Sequence, residues 1–164
     1  MLRKRKSKIF LILLVSILLL TGCKDKNNDA YKFKEEFESY NDSLTKVNIS
    51  DDNPFVYTND IYNAVENDKA LVIFCANPKD EDSRKIVESI IDYSSKHGLG
   101  KIYYVEANET DNLEIGGVKI EKIPSLVGII RKQVTGVVND KDSISTIIDP
   151  VVTELNTCDI EQGC

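Results

Sequence analysis

Residues 70–85 read ALVIFCANPKDEDSRK, and the rest of the architecture can be worked out from this stretch. Its first six residues, Ala70 to Cys75, are apolar without interruption. A strand exposed on one face alternates apolar and polar residues. An unbroken run predicts a strand covered on both faces, in a sheet flanked by helices. Four polar residues in a row, Asp80, Glu81, Asp82 and Ser83, follow the Asn77-Pro78 corner. Ile86, Ile90, Ile91 and Tyr93 then recur at helical spacing, so a helix is expected over residues 80–96. His97 and Gly98 end it, the glycine as its C-terminal cap.

Downstream, KIYYVEA at residues 101–107 reads as the next strand, and residues 108–122 as a long polar excursion containing Gly116-Gly117. Ile123-Pro124-Ser125 then starts SLVGIIRKQVTGVV, two strands joined by a turn near Arg131-Lys132. A last helix is expected over residues 143–156, with Pro150 forcing a break or restart after Asp149. Upstream, residues 31–44 place Phe33, Phe37 and Tyr40 on one side of an amphipathic helix. A turn at residues 51–54 leads to a short strand at 55–57. Thr58 or Asn59 is then expected to cap a helix that buries Ile61, Tyr62 and Val65. Strand and helix alternate and a hairpin follows, which predicts an α/β sandwich with a mixed central sheet between helices. The predicted domain covers residues 54–157, preceded by a helix and turn at 31–53 and followed by a cysteine-containing tail at 158–164. No internal repeat is visible.

The amino terminus, MLRKRKSKIFLILLVSILLLTGC, carries Arg3, Lys4, Arg5, Lys6 and Lys8 ahead of an apolar segment broken only by Ser16. That segment is shorter than the roughly 20 residues needed to span a bilayer, so residues 1–22 read as an export signal. Leu20-Thr21-Gly22-Cys23 resembles the lipobox of bacterial lipoproteins. The resemblance implies that Cys23 is acylated and becomes the first residue, anchoring the protein to the outer face of the cell membrane. Two acyl chains on a diacylglyceryl cysteine suffice for stable attachment, where one is marginal. Residues 23–30 fit a solvated tether. The signal holds five of the 21 Lys and Arg and none of the 27 Asp and Glu. From Cys23 onward, 16 basic residues face 27 acidic ones, a formal charge of −11. Such a domain is repelled by anionic lipid headgroups and by nucleic acid, and neither is expected as a partner.

Across roughly residues 55–156 the chain resembles the thioredoxin superfamily, in particular thioredoxin-like lipoproteins of Gram-positive bacteria. Two features carry the resemblance. One is the apolar strand running into NPKDEDSRK, where those relatives have a Pro-x-CxxC-Arg/Lys corner. The other is KIPSLV at residues 122–127, similar to the Ile-Pro-Ser/Thr start of the family's hairpin. The family's proline is cis and faces the CxxC, so the resemblance implies a thioredoxin-like sandwich and a cis Ile123-Pro124 bond. With Arg84 as the fixed point, the nucleophilic cysteine falls on Asp80 and the resolving cysteine on Ser83. Both thiols are missing. Disulfide exchange needs a thiolate, with its pKa lowered at a helix amino terminus, and a second thiol to resolve the mixed disulfide. A carboxylate and a hydroxyl supply neither. Asp80 can instead cap the helix, while Glu81 and Asp82 complement its dipole. No glycine-punctuated ligand loop accompanies these acids, so a Ca²⁺ site is not expected.

Cys75 is expected to be a buried small hydrophobe. Cys158 and Cys164, in CDIEQGC, are close enough to close a small disulfide loop; a bridge from either to Cys75, or to another chain, fits the composition as well. His97, the only histidine, reads as a partner of the helix C-terminus. With one histidine and no GxSxG or HExxH, hydrolase and zinc-enzyme readings lack their groups, and no metal or cofactor is expected. The leading expectation is a redox-inactive accessory module of the cell envelope that binds a protein or an extended peptide between Asp80–Ser83 and Ile123–Pro124. The alternative is an unconventional thiol–disulfide oxidoreductase using Cys158 and Cys164, or Cys75 with one of them. A third is a purely structural envelope protein.

Overall fold

The computed structural model describes residues 28–41, 46–108 and 111–161. Helix α1, Asn28–Ser39, precedes strand β1, Phe55–Tyr57, helix α2, Ile61–Asn67, and strand β2, Ala70–Ala76. Helix α3, Glu81–His97, then leads to strand β3, Ile102–Glu106, and a small hairpin of β4, Glu114–Ile115, and β5, Val118–Lys119. Strands β6, Ser125–Ile130, and β7, Gln133–Val138, are followed by a 3-10 turn and helix α4, Ile144–Glu161.

Five strands form one mixed sheet in the order β1-β3-β2-β6-β7. β1, β3 and β2 run parallel, and β6 and β7 are antiparallel to their neighbours. The unbroken apolar run of β2 is explained by its two faces. Val72, Phe74 and Ala76 enter a core shared with α1, α3 and α4, while Leu71, Ile73 and Cys75 enter a second core with α2 and the β4–β5 hairpin. The result is a mixed sheet covered by helices on both sides.

α1 is tied down by its phenylalanines. Phe33 and Phe37 are fully buried. The Phe33 ring stacks on Phe37 at 4.4 Å and on Phe55 at 4.0 Å, and meets the edge of Tyr104 at 4.9 Å. Burying a ring of this size contributes about 1.5–3 kcal/mol. Asn53 locks the following turn, donating to the carbonyls of Ala30 and Ser50 at 3.0 and 2.9 Å and accepting from the Phe55 amide at 3.1 Å. Tyr40 lies beyond the end of α1 and is exposed, not on the buried side as the spacing predicts.

Three further expectations are corrected. Asp60, rather than Thr58 or Asn59, caps α2, its carboxylate accepting from the Asn63 amide at 2.9 Å. Thr58 instead accepts from the Asp60 amide at 3.2 Å. Tyr62 is 78% exposed; the buried side of this short helix is made by Ala64, with Ile61 and Val65 half-buried. Pro150 does not break the last helix, which continues through it. Ile147, Ile148 and Val151 are buried on both sides of the proline and hold the axis, while Thr146 and Pro150 face solvent. Water can therefore satisfy the Thr146 carbonyl that the proline leaves without an N–H partner.

The expected polar excursion folds back on itself as the β4–β5 hairpin. Gly116 and Gly117, at φ 56° and 80°, form its two-residue turn, which requires positive φ at both positions. The β6–β7 turn adopts the same kind of backbone with Arg131 at φ 51° and Lys132 at φ 67°. It is braced by the Arg131 amide on the Lys69 carbonyl at 2.7 Å and by Arg131 Nε on Glu154 at 3.0 Å. Among the described residues no helix is long and apolar enough to cross a membrane.

Candidate functional site: the capped corner and the groove beside it

The β2–α3 corner is closed by hydrogen bonds at nearly every polar atom. Asp80 is the N-cap of α3, one carboxylate oxygen accepting both from the Ser83 amide at 2.7 Å and from the Ser83 hydroxyl at 2.8 Å. Ser83 is fully buried, and its hydroxyl in turn accepts from the Asn77 amide at 3.2 Å. The Asn77 side chain accepts from the Lys79 amide at 2.9 Å and donates to Asn108 at 2.6 Å, joining the corner to the end of β3. Arg84 is buried and donates to the Pro78 carbonyl at 2.9 Å. Glu81 and Asp82 are exposed and pair with Lys85 at 2.6 and 3.3 Å; the bonds to Glu81 and then Asp82 raise the Lys85 pKa. The carboxylate at position 80 and the hydroxyl at position 83 thus serve the helix start itself. Among the described residues no group of His, Cys, Asp or Glu is arranged to hold a metal ion.

Across from this corner the Ile123–Pro124 peptide is cis. The loop around it is fixed from both sides. The Ser125 hydroxyl donates to the Lys122 carbonyl at 2.5 Å, and the Asn139 side chain donates to the Pro124 carbonyl at 2.9 Å and to the Ser125 hydroxyl at 2.7 Å. Between the two lies a groove of about 420 Å³, its walls formed by Asp82, Lys85 and Ile86 on one side and by residues 122–124 and 139–141 on the other. Ile123 is half-buried. Among the described residues its backbone N–H and C=O make no hydrogen bond. Asp140 faces the groove, but its carboxylate accepts from the Asp142 and Ser143 amides and the Ser143 hydroxyl, each at 3.0 Å.

The structure therefore brings Asp82 and Ile123–Pro124 to one groove, whereas Asp80, Glu81 and Ser83 are not among the residues that line it. Lys122, Asn139 and Lys141 were missed in the sequence. Asn139 follows β7 without a local pattern of its own; only the hairpin register, which returns the chain to Pro124, reveals it.

Cys75 lies on the opposite side of β2 from the core that α3 packs against, and it is fully buried. Burial pushes its thiol pKa up to about 12, so it is almost wholly un-ionised near neutral pH. Cys23, Cys164 and the side chain of Cys158 lie outside the described residues, and with them the lipid anchor and the tail disulfide. His97 stacks on Tyr93 at 4.0 Å and comes within 3.5 Å of Asp149, at the end of α3 and away from the groove. No protein-family model matches this sequence, and no curated protein matches it significantly.

Proposed function

We propose that this chain is a lipid-anchored, extracytoplasmic protein of thioredoxin-like fold that binds an extended peptide or protein segment and does not exchange disulfides. The anchor rests on the signal and Cys23 in the sequence; the fold reading rests on the mixed sheet, the β2–α3 corner and the cis-proline loop. The observation that carries the function is the groove between α3 and the Ile123–Pro124 loop. One wall is made by Asp82, Lys85 and Ile86 of α3, whose neighbouring cap, Asp80 with Ser83, is consumed within the helix start, and the other offers the Ile123 backbone, which makes no hydrogen bond among the described residues. Backbone pairing with an extended peptide needs one such N–H and C=O and no thiol. The buried, un-ionised Cys75 thiol supplies no nucleophile to the same groove.

The test is selection of octapeptides from a random library against the protein, followed by comparison of Ile123→Arg, which fills the groove, with Tyr62→Arg on the far side of the molecule. The proposal expects binders whose affinity falls at least about tenfold with Ile123→Arg, equivalent to about 1.4 kcal/mol, and is unchanged with Tyr62→Arg. Both variants are to be checked for native folding by circular dichroism. Selected peptides indifferent to Ile123→Arg would remove the groove as the site.

A further inference from the structure

A second cleft, of about 390 Å³, lies between α2 and the β4–β5 hairpin. Its residues belong to the core on the α2 side of the sheet, whereas α3 and the peptide groove use the other side. The volume falls within the roughly 300–1,000 Å³ of small-molecule sites. The walls are apolar: Ile61, Tyr62 and Val65 come from α2, Leu113 and Ile115 from the hairpin. Ile115 is buried, and Ile61, Val65 and Leu113 are half-buried, so an apolar body placed here would cover surface that the fold leaves partly open. The β6–β7 turn also reaches the cleft, where Lys132 pairs with Glu66 of α2.

Two groups at this cleft have nothing to answer them. Tyr62, at 78%, is the most exposed of the large apolar side chains among the described residues. Three other tyrosine rings each lie under a lysine: Tyr57 under Lys32 at 4.3 Å, Tyr40 under Lys79 at 5.9 Å and Tyr103 under Lys101 at 4.5 Å. Among the described residues the Tyr62 ring meets no cation and no other ring. The second group is Glu114. Three carboxylates, Asp60, Glu66 and Glu114, line the cleft with a single ammonium, that of Lys132. Glu66 is answered by Lys132, and Asp60 accepts from the Asn63 amide. The Glu114 carboxylate is exposed and makes no ion pair or hydrogen bond among the described residues, although Lys119 stands opposite it in the hairpin. An anion here would be repelled by these acids and by a chain whose formal charge is −11 from Cys23 onward. A neutral molecule would cover Glu114 without compensating its charge. An ammonium answers both open groups, the ring through its π-face and the acid through its charge. We infer that this cleft binds a small organic cation, its apolar body on Ile61, Val65, Leu113 and Ile115 and its ammonium held by the Tyr62 ring and the Glu114 carboxylate. The inference does not depend on the peptide groove.

The test uses the full-length chain in phosphatidylcholine nanodiscs, with isotope-labelled Ile, Leu and Val methyl groups followed by NMR at pH 7. The probes are phenethylamine, 2-phenylethanol and 3-phenylpropionate, one ring carrying in turn an ammonium, a hydroxyl and a carboxylate. Phenethylamine is expected to shift the methyls of Ile61, Val65, Leu113 and Ile115 saturably and to leave Ile123 in place. Its affinity should exceed that of 2-phenylethanol about fivefold or more, and 3-phenylpropionate should give no saturable shift. Tyr62→Leu, which keeps an apolar side chain without a π-face, and Glu114→Gln should each weaken phenethylamine about threefold, whereas Tyr62→Phe should bind as the parent does. All three positions are exposed, and the methyl spectrum itself reports whether each variant is folded. Absence of a saturable shift with phenethylamine, equal affinity for the alcohol, shifts centred on Ile123, or indifference to both Tyr62→Leu and Glu114→Gln would each overturn the inference.

Discussion

Replacing Asp80 by alanine tests whether the corner is a helix cap. In the structure one carboxylate oxygen accepts the Ser83 amide at 2.7 Å and the Ser83 hydroxyl at 2.8 Å. Loss of an N-cap acceptor costs about 1 kcal/mol. The Ser83 hydroxyl is fully buried, and without Asp80 its proton has no acceptor at the corner, which adds about 1–3 kcal/mol. Asp80→Ala should therefore destabilise by about 2–4 kcal/mol. Asparagine caps as well as aspartate and keeps an oxygen at the same place, so Asp80→Asn should lose only the charge–dipole contribution, about 0.5 kcal/mol. The assay is urea unfolding at pH 7 of a soluble form beginning at residue 24, followed by circular dichroism. An alanine variant within about 0.5 kcal/mol of the parent, a small fraction of the predicted capping effect, would show that the carboxylate does not hold the helix start. So would an asparagine variant as unstable as the alanine one.

Three other outcomes are expected. Pro150→Ala should stabilise by about 1–3 kcal/mol in the same assay, because it restores an N–H for the Thr146 carbonyl at an exposed position; a loss of stability would show that the proline is required where it stands. Glu36, which accepts from the Tyr57 hydroxyl, has its pKa raised chiefly by burial, with Lys32 opposing and the Glu106 charge adding to the shift. The folded state then holds a proton that the unfolded state has released, so the contribution of Glu36 is most favourable below the ordinary glutamate value and declines as pH rises to the raised one. Unfolding measured from pH 7 down to pH 4 should show a smaller gain for Glu36→Gln than for the parent, and identical slopes across that range would contradict this. Cys23→Ser should abolish incorporation of labelled palmitate and release the protein from membranes; continued labelling would place the lipid elsewhere.

The parts of the fold legible in the sequence were those in which local chemistry and tertiary packing agree. β2 reads as a two-face strand because both faces carry cores, and α3 carries its own start and stop, Asp80 and Gly98, the latter at φ 76°. Disagreement arose where packing overrides local preference. Pro150 sits in a helix because the buried isoleucines and Val151 around it bind the sheet. Tyr62 falls on the helical stripe of Ile61 and Val65, yet α2 has only 7 residues and turns this ring to solvent. The Arg131-Lys132 turn lacks the glycine usual at positive φ and is held instead by contacts to Lys69 and Glu154, which no local window contains. The groove was half legible: the corner and Ile123–Pro124 come from the resemblance, whereas Asn139, Lys122 and Lys141 arrive there through the hairpin and the turn after β7.

Whether the protein exchanges disulfides is decided by differential alkylation read by mass spectrometry across a glutathione redox series. The buried, un-ionised Cys75 should resist modification until the protein is denatured, and no cysteine pair should titrate between roughly −270 and −120 mV, the range of thiol–disulfide exchange proteins. A cysteine pair, with Cys158 and Cys164 or with Cys75 and one of them, that titrates in that range would make the protein a redox enzyme and overturn the proposed function; native-state labelling of Cys75 would contradict its burial.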